Sequence, residues 1–309
     1  MLEQKIIVTK DKVKNLGNAI RTKLYTDKKY KLDEMPNAIQ SIFSFQPELV
    51  SWSTGTDDEI IAMLKAYYKG EFSLEDIQTV WHIGDKREIT INAIPKDQYV
   101  GESHQEQKIE LQILDFAHDE LIAPINNKTK ALITIDQKDC LMDAVNYENM
   151  KSVPEGELMP VTEKPENGYI NSTQDNTTRW ANCSRRKWLN DSYLKALPLY
   201  LQNSIKEVKK PADNSYTIDK VFFLSEQEIL GLIKNSAYAE GEQYPVYQDI
   251  NNRIKRPRWR NTIDFNNNIW WSRSPYKSGN VYWCEIKEDM VSDMHYASRA
   301  YGIAPAMCL

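Results

Sequence analysis

The sequence predicts an α+β fold on three observations. Apolar residues recur at helical spacing through residue 80, the period changes to two from Lys86 onward, and helical spacing returns between Trp180 and Ile205 before further strand-like runs. At 309 residues the chain has room for one large domain and a smaller appendage. The division read from these patterns is a helical segment over 1–45, a helical connector over 46–80 and a mixed domain over 81–309.

In the first segment Val13, Leu16 and Ile20 fall on one helical face, and Leu32-Asp33-Glu34-Met35-Pro36 opens a second helix carrying Ile39 and Ile42. Two such short helices bury too little to stand alone, so the segment is expected to pack on a partner chain, on copies of itself or back on its own domain. After Pro47, Thr56 and Glu59 form a capping box for a helix with Ile60, Met63, Leu64 and Tyr67 as its apolar stripe, and Gly70 stops it. Ser73 starts another turn or two, and Trp81-His82-Ile83-Gly84-Asp85 closes the helical region in a tight turn.

Strands follow. Ile89, Ile91 and Ala93 alternate with polar residues, as do Ile109, Leu111 and Ile113, and Lys130 to Ile135 is a short apolar run. Trp188, Leu189 and Tyr193 mark the returning helix, with Leu197-Pro198 opening a second piece through Leu201 and Ile205. Val221-Phe222-Phe223-Leu224 reads as a buried strand, and Ser225 as the cap of a helix containing Glu228 and Ile229. The region after Tyr244 reads as loop-rich, closing with strands over Val281–Ile286 and Gly302–Leu309, the last of them inside the sheet.

Composition excludes several classes. A net charge of -5 argues against general nucleic-acid binding, which needs a basic footprint. No run approaches a membrane span, and Met1 to Lys10 lacks a signal peptide's basic start and apolar stretch, so synthesis in the cytoplasm is expected. Cys140, Cys183, Cys284 and Cys308 show no metal-ligand spacing and read as buried thiols. Tryptophans and tyrosines concentrate after Gly168 among Asn and Ser, as suits a rigid fold with a binding surface.

Two stretches resemble known proteins. Ser51-Trp52 through Thr56-Asp57-Asp58-Glu59-Ile60 to Trp81-His82-Ile83-Gly84-Asp85-Lys86-Arg87, with Asn18 to Lys23 and Lys31 to Pro36 before it, resembles tail and tail-fibre proteins of Firmicutes phages and prophages. Residues 81–309 resemble an uncharacterised domain family of gut bacteria and their phages. The matching pieces include Phe116-Ala117-His118-Asp119, Arg186-Lys187-Trp188-Leu189-Asn190, Asp219 to Glu228, Glu240-Gly241-Glu242-Gln243-Tyr244, Trp270-Trp271-Ser272-Arg273-Ser274-Pro275 and Tyr301 to Leu309. That family is similar to C-type-lectin-like folds of the formylglycine-generating-enzyme type. Its members often carry Gly-Gly-Trp where this chain has Thr178-Arg179-Trp180, and Met where Arg185 stands.

What the resemblance implies is a virion structural protein, in tail, baseplate or fibre. Residues 1–45 would bind other virion proteins, and the lectin-like domain would face host-surface polysaccharide or teichoic acid. A homo-oligomer is expected, a trimer by analogy with projecting phage proteins. A head-fibre or capsid decoration protein is the alternative, and an enzyme acting on cell-wall polymer comes third. No cofactor, metal, nucleic-acid partner or membrane span is expected.

Reactive groups give little support to catalysis. There is no Gly-x-Ser-x-Gly elbow, zinc helix or phosphate-binding glycine loop. His82, His104 and His118 read as turn-holding residues, although three histidines can in principle meet around a metal, and Cys284 and Cys308 could meet if their strands were neighbours. In Trp270-Trp271-Ser272-Arg273, alternation sends the tryptophans to opposite faces, and Arg273 is expected to tie loop carbonyls or a carboxylate through its planar fork. Arg253, Lys255, Arg256, Arg258 and Arg260 flank Trp259 with no acid among them, and read equally as a solvated loop or as an anion-binding one. The binding candidates are therefore Arg256, Arg258, Trp259, Arg260, Tyr276, His295, Tyr296 and Arg299, on loops between Tyr244 and Arg299.

Overall fold

The structure is a computed structural model that describes residues 10–23, 29, 31, 33–36, 47–100, 103–141, 170, 179–255, 269–278, 282–287, 292–297 and 301–309. It is mixed α and β with antiparallel sheets, and it divides into two compact units, Met1–Trp81 and His82–Leu309.

In the first unit α1 spans Lys10–Lys23. Its inward face differs from the expected one: Gly17 and Ile20 are buried and Val13 half-buried, while Leu16 is 42% exposed. The buried Met35 lies against the helix at Gly17, its Cε at ordinary contact distance, 3.5 Å, from where a Cβ would stand. Met35 and Pro36 begin the second helix, and Ile39 and Ile42 lie outside the described residues. α2 (Asp57–Lys69) starts on the Thr56–Glu59 capping box and stops at Gly70, whose φ of 81° is left-handed. α3 (Leu74–Gln78) repeats the device with Ser73 and Asp76. Each such cap contributes about 1 kcal/mol. Trp52 and Trp81 are fully buried edge to face at 5.3 Å, and the Trp81 indole donates to the Val50 carbonyl at 2.8 Å.

The second unit begins with β1 (Lys86–Ile91), whose strict alternation of exposed and buried residues is the pattern read from the sequence. β2 (Gln107–Phe116), β3 (Glu120–Ile125), β4 (Lys128–Lys130) and β5 (Ile133–Gln137) follow. Then come the short helices α4 (Arg179–Asn182) and α5 (Ser184–Trp188), a π-helical turn over Leu189–Tyr193, α6 (Leu194–Ala196) and α7 (Leu199–Ser204). Pro198 divides the last two, with Leu197 before it in extended conformation. β6 (Val208–Ala212), β7 (Ser215–Asp219) and β8 (Val221–Phe222) lead into α8 (Glu226–Leu230), which starts on a capping box of Ser225 and Glu228. β9 (Trp270–Pro275), β10 (Tyr282–Ile286), β11 (Ser292–Tyr296) and β12 (Ala306–Cys308) complete the strands.

Among the described residues the strands form three sheets. The largest has the order β1-β2-β5-β12-β8, so the Gly302–Leu309 segment supplies an interior strand. The second, β4-β3-β6-β7, rests on two tight hairpins that the sequence reading passed over. Their turns are Asn126-Asn127, at φ 45° and 67°, and Asp213-Asn214, at φ 53° and 62°. Two consecutive positive φ values match the right-handed twist of the strands, and Asn and Asp tolerate them. The third sheet, β11-β10-β9, occupies ground expected to be mostly loop.

All four cysteines are buried and free. Burial pushes the Cys140 and Cys183 thiols up to about 12. Cys284 lies on β10 and Cys308 on β12, in different sheets.

Met307 on β12 is fully buried and lies between Ile135 of β5 and Val221 of β8. A chain ending at Tyr301 loses that strand and should give no soluble folded protein, because both neighbours lose their ladder and several apolar side chains of about 1.5–3 kcal/mol each. Size-exclusion chromatography and circular dichroism check this; a folded monomer would contradict the sheet order.

Candidate functional site

The loops around α8 are held from inside by charge. Arg273 of β9 grips the Glu228 carboxylate with both terminal nitrogens and also donates to the carbonyls of Phe223 (2.9 Å), Glu240 (2.8 Å) and Pro211 (3.2 Å). Arg273 and Glu228 are fully buried or nearly so, and the guanidinium ties a carboxylate and loop carbonyls as the sequence led one to expect. Lys210 of β6 lies 2.6 Å from both Glu228 and Asp119, and donates to the Tyr244 hydroxyl at 2.9 Å. Tyr244 in turn donates to Asp119 at 2.8 Å. Burial alone would raise the Asp119 and Glu228 carboxyls. Lys210 at both, Thr134 at the first and Arg273 at the second outweigh it and hold both below the usual carboxylate range. Gly241, at φ 112°, fits because a Cβ there would stand 2.9 Å from the Glu228 carboxylate.

A second acid shapes the outer loop. Glu226 is buried, and its carboxylate accepts from the backbone N–H groups of Lys234 (2.9 Å), Asn235 (2.9 Å) and Ser236 (2.8 Å). The loop so folded is sewn to the third sheet: Ala237 N–H donates to Pro275 O at 3.0 Å, and Lys277 N–H to Asn235 O at 2.9 Å.

Two tyrosine rings meet at this end of the sheet. Tyr276 N–H donates to Tyr282 O at 3.2 Å, and their half-exposed rings stand edge to face with centroids 6.0 Å apart. Tyr296 is the cross-strand partner of Tyr282 on β11. Tyr276 and Tyr282 therefore form a short aromatic row, with the backbone of β11 paired beside it at Tyr296. Leu232 and Ile233, 52% and 46% exposed, immediately precede the Glu226-bound loop. Aromatic faces carrying hydroxyl edges can stack on the C–H face of a sugar while hydrogen-bonding its rim.

Of the eight sequence candidates, Tyr276 lies in this row, and Tyr296 is the backbone register partner of Tyr282 on β11. His295 is the register partner of the buried Trp283 on β11, a strand rather than a loop. Arg256, Arg258, Trp259, Arg260 and Arg299 lie outside the described residues. Lys255, read as part of the basic loop, is instead buried: its ammonium pairs with Asp136 at 2.5 Å and donates to Gln137 O at 2.6 Å. Arg253 donates to Tyr247 O at 3.0 Å. Tyr282 was missed because it was read as part of the Val281–Ile286 strand, while candidates were sought on loops. Trp270 and Trp271 are both fully buried, so layers cover both faces of β9. The histidines occupy separate settings: His82 beside Asp85, His104 against Trp188, and His118 bonded to Asp115 while lying on Tyr244.

A family model described as a domain of unknown function, DUF6273, matches residues 145–309. The chain belongs to the DUF6273 family. The DUF6273 segment carries the tyrosine row, Glu226, Glu228 and Arg273, whereas Asp119, Asp136 and strands β1–β5 precede it. No curated protein and no solved structure matches the chain.

Glu240 offers a pH test of this buried framework. One of its oxygens accepts from the Ser274 hydroxyl, and the other, Oε1, has no hydrogen-bond partner among the described residues. Burial outweighs the pull of Arg273 and Ser274 and raises the carboxyl from 4.5 to about 7. An acid whose folded pKa is raised stabilises most below its unfolded value and loses that contribution as pH rises to the folded one. Glu240→Gln, which keeps an acceptor for Ser274, should remove this loss: from pH 5 to pH 8 the wild-type melting temperature should fall relative to the variant. Parallel melting profiles in thermal denaturation would assign the titration elsewhere.

Proposed function

We propose that the chain is a binding protein of a phage or phage-like particle, and that its C-terminal unit has a C-type-lectin-like fold displaying the Tyr276–Tyr282 row to host-surface carbohydrate. The row itself carries the reading. It is aromatic and half-exposed, it lies beside the pairing of β9 with β10, and the loop next to it is fixed by the buried Glu226 carboxylate. Rigid aromatic surfaces of this kind bind with little loss of side-chain freedom. The ionisable groups behind the row are engaged in holding backbone, a framework for presenting a surface. In this reading residues 1–45 attach the chain to other virion proteins or to copies of itself, and the exposed Leu16 of α1 is one apolar position that such a contact would cover.

The test is binding of purified Firmicutes wall polysaccharide to the full chain and to a Tyr276→Ala/Tyr282→Ala variant. Loss of two stacking rings should weaken binding by at least about tenfold with the melting temperature little changed. Equal binding by a folded variant removes the row from the reading. A chain of residues 46–309 should be folded and less oligomeric in light scattering than the full chain; an unchanged oligomeric state would remove the attachment role from residues 1–45.

A further inference from the structure

A depression of about 400 Å³ lies beside the four-stranded sheet, between α5 and the end of β7. Its floor is apolar, from Leu194 and the half-exposed Ile218, and its walls carry Arg186, Lys187 and Lys220. Arg186 is fixed in place by bonds to Asp219 Oδ1 (2.6 Å), Ala181 O (2.8 Å) and Ile218 O (2.9 Å). A guanidinium has five N–H donors, so two remain available on this rigid group. Asn190 locks the wall by donating to Arg186 O and Val221 O and accepting from the N–H groups of Lys220 and Val221. Lys187 and Lys220 form no ion pair among the described residues.

The charge balance selects the ligand. Asp219 neutralises Arg186 and the groove's acid, Glu207, offsets one lysine, which leaves about one positive charge with several spare N–H donors. That suits a singly charged phosphodiester better than a dianionic phosphate monoester. Tyr216, two residues before Ile218 on the same strand face, lies next to the groove's lining and is 55% exposed, with the Lys209 ammonium 5.8 Å from its ring. We propose that this groove binds the phosphodiester of a polyol or sugar phosphate polymer, with Arg186, Lys187 and Lys220 on the phosphate and Ile218, Leu194 and Tyr216 on the carbon chain. The chain's net charge of -5 disfavours a nucleic acid, whose duplex carries dense charge.

The experiment titrates the full chain with a synthetic glycerol-phosphate hexamer, a single-stranded DNA dodecamer and inorganic phosphate, by calorimetry at two salt concentrations. The hexamer should bind more tightly than the other two, and more weakly at high salt. Lys187→Gln/Lys220→Gln should weaken it by about tenfold or more with the fold intact, while Lys128→Gln/Lys130→Gln on the exposed β4 should leave it unchanged. Tyr276→Ala should also leave it unchanged, which separates this groove from the tyrosine row. Equal affinity of the Lys187/Lys220 variant, an equal loss in the β4 control, or preferential binding of DNA or of inorganic phosphate would each overturn the proposal.

Discussion

Glu228 sits between two cations, Arg273 and Lys210, inside the C-terminal unit, and each partner of that trio belongs to a different stretch of chain. Glu228 is on α8, Arg273 on β9 and Lys210 on β6, with Asp119 reaching Lys210 from the turn between β2 and β3. Taking such charges out of water costs several kcal/mol per ion, and their attraction offsets this only when every partner is in place. The arrangement is therefore worth more as a constraint than as a source of stability. It admits one relative placement of four segments and fixes the carbonyls of Phe223, Pro211 and Glu240, from which the outer loops depart.

Much of the scaffold is legible in the sequence because local chemistry decides it. Thr56 with Glu59 and Ser225 with Glu228 announce helix starts through backbone donors that any structure must satisfy, and β1 shows its buried face by alternation. Arg273 could be read as a structural tie from its neighbours alone. What the sequence hides is partnership across distance. Lys255 looks like one cation in a basic run, and only Asp136, 119 residues earlier, makes it a core residue. The Asn126-Asn127 and Asp213-Asn214 turns were readable, since paired αL-tolerant residues are a hairpin signal. The tyrosine row was half readable, because Tyr276 stands in an aromatic-rich segment while its meeting with Tyr282 depends on the register of β9 and β10.

The boundary of the DUF6273 match also has a physical side. Within residues 145–309, Lys210 and Lys255 are fully buried cations whose carboxylates, Asp119 and Asp136, come from the preceding stretch. β12 likewise finds one of its two ladder partners, β5, there. In this chain the matched segment and the strands before it share one core and one set of neutralising charges, so neither half is electrically or sterically complete without the other.

The interior position of β12 carries a kinetic consequence. Thr134 and Cys308 meet across 174 residues, and β8 joins the large sheet only through β12. The entropy of closing so long a loop grows only slowly with its length, about 0.6 kcal/mol per doubling, so the equilibrium cost is modest. The rate is another matter, since chains dominated by distant pairings fold slowly and expose unpaired strand edges while they do. Until β12 arrives, β5 and β8 each present an open edge of apolar strand. Folding of this unit is thus a race between one long-range insertion and the pairing of those edges with other chains.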